Sequence, residues 1–145
     1  MKNRLFLLFL MSCFLISGCH VIPSNSIFDK SPAPKILPGY GGLSGRIIAD
    51  TEQNPFPGIS VHLAEVVRSD KKIVYIFDAA NSPSTVSGEN GDFSFNGIPS
   101  GEFVIILGDD FSGRKIVSTE EEKAQVWIIH PNQVTDAGFL LFADR

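Results

Sequence analysis

The chain reads as an all-β protein: a Greek-key antiparallel β-sandwich of about seven strands, behind an exported leader and a Pro-rich tether. Two observations predict it. Beyond Leu43, apolar residues recur at every second position in short runs, the spacing that turns one face of a strand toward a core. Gly, Pro and Asn separate these runs, supplying the backbone angles that tight turns need. Only Ser118 or Thr119 followed by Glu120-Glu121-Glu122 departs from this pattern, and there a capping box on a short helix over 119–125 and a charged loop remain open alternatives.

Taken in chain order, the first element is the leader. Lys2 and Arg4 precede the apolar run from Leu5 to Ile16, which Ser17-Gly18-Cys19 closes. A positive start, an apolar middle and small residues before a cut are signal-peptide grammar. The run is shorter than the ~20 apolar residues that cross a hydrocarbon core. Residues 1–18 are therefore expected to be removed. Ile16-Ser17-Gly18-Cys19 resembles a lipobox, and in bacterial lipoproteins, which this segment is similar to, that Cys carries a diacylglyceryl group and becomes the acylated N-terminus. The resemblance implies Cys19 as the lipid-attachment residue, and its competitor is an ordinary secretory signal with an incidental Cys. One acyl chain anchors only marginally, whereas two or three hold firmly.

Cysteine arithmetic follows from that reading. Cys13 leaves with the leader and Cys19 is consumed by the lipid, so the folded part holds neither of the two cysteines. Its core must be stabilised by burial alone. The formal charge of −4 becomes −6 once the +2 of Lys2 and Arg4 is removed. Sequence-independent nucleic-acid binding needs clustered positive charge, so that partner class is excluded. Membrane association is expected through the lipid anchor rather than through a basic surface.

Residues 19–42 are rich in Pro, Ser, Gly and Asn, with Pro23, Pro32, Pro34 and Pro38 breaking any helix or interior strand. This segment is expected to be a flexible tether reaching several tens of Å from the bilayer. Residues 43–145 form one β-sandwich domain, since about a hundred residues can bury a core without staples.

Within that domain the strands come in order. Leu43, Gly45 and Ile47 alternate inward, then Ile59, Val61 and Leu63, then Ile73, Tyr75 and Phe77. Phe93 and Phe95, then Phe103, Ile105 and Leu107, continue the pattern, and further strands are expected at Lys115–Val117, Val126–Ile129 and Val134–Phe142. Asn54-Pro55-Phe56-Pro57-Gly58 ends one strand and reorients the chain. Asn90-Gly91 suits a type I′ turn, predicted to join Thr85–Ser87 to Phe93–Phe95 as a hairpin. Pro99-Ser100-Gly101 makes a further turn before Phe103.

Four of these blocks, Gly45-Arg46-Ile47, Pro57-Gly58-Ile59-Ser60-Val61-His62-Leu63, Gly88 through Phe95 and Ile98 through Ile105, resemble the carboxypeptidase regulatory-like domain family over Leu43 to Leu107. The resemblance implies a transthyretin-like sandwich serving as an accessory module, with no catalytic residues. Phe103 stands where that family often has Tyr, and the first hairpin is lengthened through Arg68-Ser69-Asp70-Lys71-Lys72.

Candidate chemistry is sparse. His20 adjoins the anchor, His62 alternates against Val61 and Leu63 and so is expected at solvent or a sheet edge, and His130 precedes Pro131. None has metal-ligand spacing, although His62 and His130 stay open as a pair that the fold brings together. Tyr40 and Tyr75 are the only tyrosines, too few for the Tyr and His ligand sets of iron dioxygenases built on related sandwiches. Asp109-Asp110 and Glu120-Glu121-Glu122 are oxygen-rich but lack EF-hand spacing, so a solvated face is expected. Trp127 beside Ile128 and Ile129 is either a core residue or an exposed sugar-stacking platform, the core being favoured by its large apolar area. The chain is therefore expected to be a non-catalytic envelope protein, with no cofactor or metal, whose partner is an envelope protein or a glycan. An accessory carbohydrate- or peptide-binding module is the alternative, and a transthyretin-like hydrolase a weaker one. His20 stands after Cys19 where Asp would favour inner-membrane retention, which points to the outer membrane if the source is Gram-negative.

Overall fold

The computed structural model describes residues 34–70 and 72–142, and the leader and Cys19 lie outside them. Nine strands follow one another among the described residues: β1 Gly41–Ile48, β2 Ser60–Ser69, β3 Lys72–Ile76, β4 Ser84–Val86, β5 Asp92–Ile98, β6 Gly101–Leu107, β7 Lys115–Ile116, β8 Val126–Ile129 and β9 Val134–Leu141. There is no helix among the described residues. One sheet has the order β5-β1-β9 and the other β3-β2-β6-β7, with β4 on β2 and β8 on β6.

The nine segments occupy seven lanes. Val61 to Glu65 of β2 pair with β6, while its other edge takes β4 along Ser60–His62 and β3 along Glu65–Ser69. β8 and β7 likewise share the far edge of β6, along Gly101–Val104 and Ile106–Leu107. The two layers bury one core between them: Leu43 and Ile47 of β1, Val61 and Leu63 of β2, Phe93 and Phe95 of β5, Phe103, Ile105 and Leu107 of β6, Trp127 and Ile129 of β8, and Leu140 of β9. These are the inward residues of the period-two pattern, and each large side chain removed from water contributes about 1.5–3 kcal/mol.

Three features depart from the sequence-based expectation. The sandwich is not wholly antiparallel, because β1 pairs with β9 in parallel. Period-two alternation defines a face and carries no information on strand direction, so this pairing had no local signal. β1 begins at Gly41, and Pro34 is already buried, so the domain takes in the end of the segment read as tether. Asn90-Gly91 does turn the chain, with Gly91 at φ 74°, but it joins two sheets rather than closing a hairpin. β4 stays on β2 because Ser87 is captured there: its hydroxyl donates to the Phe56 carbonyl at 2.8 Å and accepts the Ile59 N–H at 2.9 Å. Of the two readings left open for 119–125, the structure has the charged turn and no helix. The Thr119 N–H donates to the Lys123 carbonyl at 2.7 Å, Glu122 adopts φ 59°, and Ser118 bridges Ala124.

Candidate functional site

The chemistry-bearing residues are dispersed by the fold. His62 pairs with Ile106 on β6, whereas His130 follows Ile129, which pairs with Gly101. Five residues of β6 separate those levels, ~17 Å at the strand rise. A shared site for the two histidines is thereby removed. Among the described residues no three His, Cys, Asp or Glu side chains converge as a metal-ligating group.

His62 lies on the outer face of its sheet, beside the second apolar cluster of Ala64, Val66, Val104 and Ile106. It is covered rather than solvated. Phe77 meets it edge-on at 5.4 Å, and the Arg114 guanidinium sits 4.9 Å over the Phe77 ring. Its Nε2 is buried with no hydrogen-bond partner among the described residues. Burial, then the nearby positive charge of Arg114, pushes the imidazole pKa below its ordinary value of 6.5, opposed by a backbone hydrogen bond with Gly108 and by Asp110 and Asp109. This is a neutral packing residue, since a general base needs an approach for its substrate.

The acidic pairs serve their own loops. Asp109 accepts hydrogen bonds from the N–H groups of Phe111 at 2.9 Å and Ser112 at 2.8 Å, and from the Ser112 hydroxyl at 2.9 Å. Those bonds, led by Ser112, hold its carboxyl below the usual range. Asp110 pairs with Arg114 at 2.8 Å, and Glu121 with Lys123 at 2.7 Å. Trp127 is 6% exposed and belongs to the main core, so the stacking-platform reading is withdrawn.

The feature that sequence reasoning missed is β3. Its five residues are all exposed, although Ile73, Tyr75 and Phe77 read as inward positions. β2 and β3 continue as a two-stranded ribbon beyond Glu65, where pairing with β6 stops at Phe103. Val67 at 41% exposure joins them. Arg68, near the ribbon's tip, reaches back to Glu102 of β6 at 2.6 Å. The one signal available was that Ile73-Val74-Tyr75-Ile76-Phe77 is apolar without alternation, while nothing opposite it was left to bury both faces. An unpaired edge with apolar side chains is an interaction surface in physical terms. No described helix is long and apolar enough to cross a membrane.

No family model and no curated protein matches this chain. Solved structures do. BcpA, the major pilin subunit of Bacillus cereus, is similar at TM-score 0.47 and 20% identity, covering 72% of this chain and 30% of that one. GBS52, a minor pilin of Streptococcus agalactiae, gives TM-score 0.46 and 16% identity over 77% of this chain and 48% of that one. PA1324 of Pseudomonas aeruginosa, for which a carbohydrate-binding role is proposed, gives 0.44 and 14% over 72% of this chain and 90% of that one. This chain thus spans under a third of the BcpA structure, and each likeness is one of β-rich fold.

Proposed function

We propose that this chain is a non-catalytic bacterial lipoprotein, held by Cys19 on the extracytoplasmic side of a membrane, that presents its β-sandwich as an interaction module. In this reading residues 1–18 are the leader, a lipidated tether follows from Cys19, and the presented domain, of the carboxypeptidase regulatory-like kind, has begun by Gly41. The observation that carries it is the placement of Ile16-Ser17-Gly18-Cys19 at the end of the apolar run, ahead of a domain that needs no disulfide. With His20 rather than Asp after the lipidated residue, the outer membrane is the destination in a Gram-negative source. Mass spectrometry of the mature protein tests the anchor: acylated Cys19 at the N-terminus is expected, and an unmodified start at another residue sinks the reading. A Cys19→Ser chain should leave the membrane fraction.

A peptide-binding role is favoured as the second reading by one observation, the open β3 edge, which can accept an extended segment by strand addition. Glycan binding through Trp127 loses its support with that side chain in the core. Envelope-extract pull-downs that depend on Tyr75 but not on His130 would support the peptide reading.

A further inference from the structure

Among the described residues β3 ends its sheet with one edge unpaired, and Ile73, Val74, Tyr75 and Ile76 are 53, 48, 37 and 50% exposed. Natural edges are usually blunted by Lys, Pro or a bulge, yet the run from Ile73 to Phe77 contains neither residue. Its charges stand at the two ends, Lys72 before it and Asp78 after it. We infer that this edge pairs with the same edge of a second copy of the chain, antiparallel about a two-fold axis at Tyr75, joining the two larger sheets into one.

Charge and register carry the inference. About that axis Lys72 opposes the second copy's Asp78, Ile73 opposes its Phe77, Val74 its Ile76, and Tyr75 itself. Every apolar side chain meets an apolar one, and each end closes with an opposite-charge pair, the combinations that stabilise cross-strand neighbours. Parallel self-pairing would set Lys72 against Lys72 and Asp78 against Asp78, which is unfavourable. Moving the axis to Val74 sets Asp70 against Asp78, and moving it to Ile76 sets Asp78 against Val74. Asp78 is fixed for the role by its own turn, accepting the Ala80 N–H at 2.8 Å and the Asn81 side-chain amide at 2.7 Å.

The backbone agrees. Ser69 and Lys72 flank the two-residue connection as its closing pair, so strand alternation turns the N–H and C=O groups of Lys72, Val74 and Ile76 toward β2. Those of Ile73, Tyr75 and Phe77 face outward, and these are the residues that meet across the axis. A two-fold contact uses the same patch on both copies and closes at two. Nothing in this inference requires the lipid anchor.

Oxidative bridging and sedimentation of the mature full-length protein test it. Tyr75→Cys should form a disulfide dimer on the order of tenfold faster than Ile73→Cys, because directly opposed residues lie within disulfide reach and Ile73 does not face itself. The unsubstituted protein should sediment as a dissociable dimer at micromolar concentration, and Lys72→Asp, which places two acids together, should weaken it several-fold. Run alongside, the unsubstituted chain reports any bridge through Cys19, so failure of acylation is seen separately. A monomer at every concentration or equal bridging at the two positions overturns the inference. So does alkylation protection at Ile73→Cys that dilution leaves unchanged, which would assign the edge to this chain's own N-terminal segment.

Discussion

β1 and β3 both carry large aliphatic side chains, and the fold treats these oppositely. β1 is paired on both edges, with β5 and β9, and Leu43 and Ile47 are wholly buried. β3 is paired on one edge, and all five of its residues are exposed. The difference lies in what surrounds each strand rather than in its composition. β1 sits at the centre of the smaller sheet, against the core residues of β2, β6 and β8. β3 pairs with the part of β2 that has run past its pairing with β6, and no described strand lies beyond its other edge. Apolar content alone therefore does not assign a strand to the core: in one place it stabilises the fold, in the other it leaves surface for a partner.

A matched pair of substitutions breaks or sustains this contrast most directly. Ile47→Ala should cost about 2–5 kcal/mol, the lost transfer energy plus a cavity that close packing cannot collapse. Ile73→Ala removes the same atoms from a half-exposed position and should stay within about 0.5 kcal/mol in the monomer. Denaturant melts of both at low protein concentration measure it, and comparable losses would show that β3 is covered after all. Asp92→Ala comes next. Asp92 holds Arg46, which is 8% exposed on β1, at 2.6 Å. Taking the carboxylate from a nearly buried guanidinium should cost about 2–3 kcal/mol, below the full penalty because Asp92 itself keeps some solvent. Asp92→Asn should recover part of that loss in the same melts.

The contrast also explains what was legible in the sequence. The inward set was, because Leu43, Ile47, Phe93, Phe95, Ile105 and Trp127 follow the alternation that a two-layer core imposes. The β2–β3 hairpin at Arg68–Lys72 was also, since charged residues interrupt two apolar runs there. Partner choice was not. The parallel β1–β9 pair and the assignment of β4 to β2 depend on contacts between distant residues, such as Ser87 with Phe56 and Ile59, that no local pattern records. The exposure of β3 was hidden for the same reason, as Ile73 and Ile47 look alike until their neighbours are known. For the site itself, Cys19 rests on its sequence context, while the open edge needed three dimensions.

Two smaller effects sharpen the picture of the surfaces around the core. His62 is half-buried, with its pKa held below the ordinary 6.5. Below that value the unfolded chain binds the proton more readily than the folded one, so stability should decline as pH falls from 6.5 toward the depressed folded value and then level off. Above 6.5 the imidazole contributes no slope. His62→Phe should flatten the decline in melts between about pH 7 and 5, and an unchanged slope would place the titrating group elsewhere.

The smallest effect belongs to the ion pair that ties the ribbon to β6. Arg68 and Glu102 form a 2.6 Å pair with half and a third of their side chains exposed, so water screens the attraction and both side chains lose rotamer freedom. Glu102→Ala should cost about 0–1 kcal/mol, less than the burial terms of β1. Its informative readout is local: amide exchange across Val66–Ser69 and Lys72–Ile76 should quicken while exchange in β1 stays fixed, because opening a ribbon beyond the core does not require unfolding the sheets that enclose it. Uniform quickening across both strands would mean that β3 and β1 open as one cooperative unit, and the physical distinction between the two strands would fail.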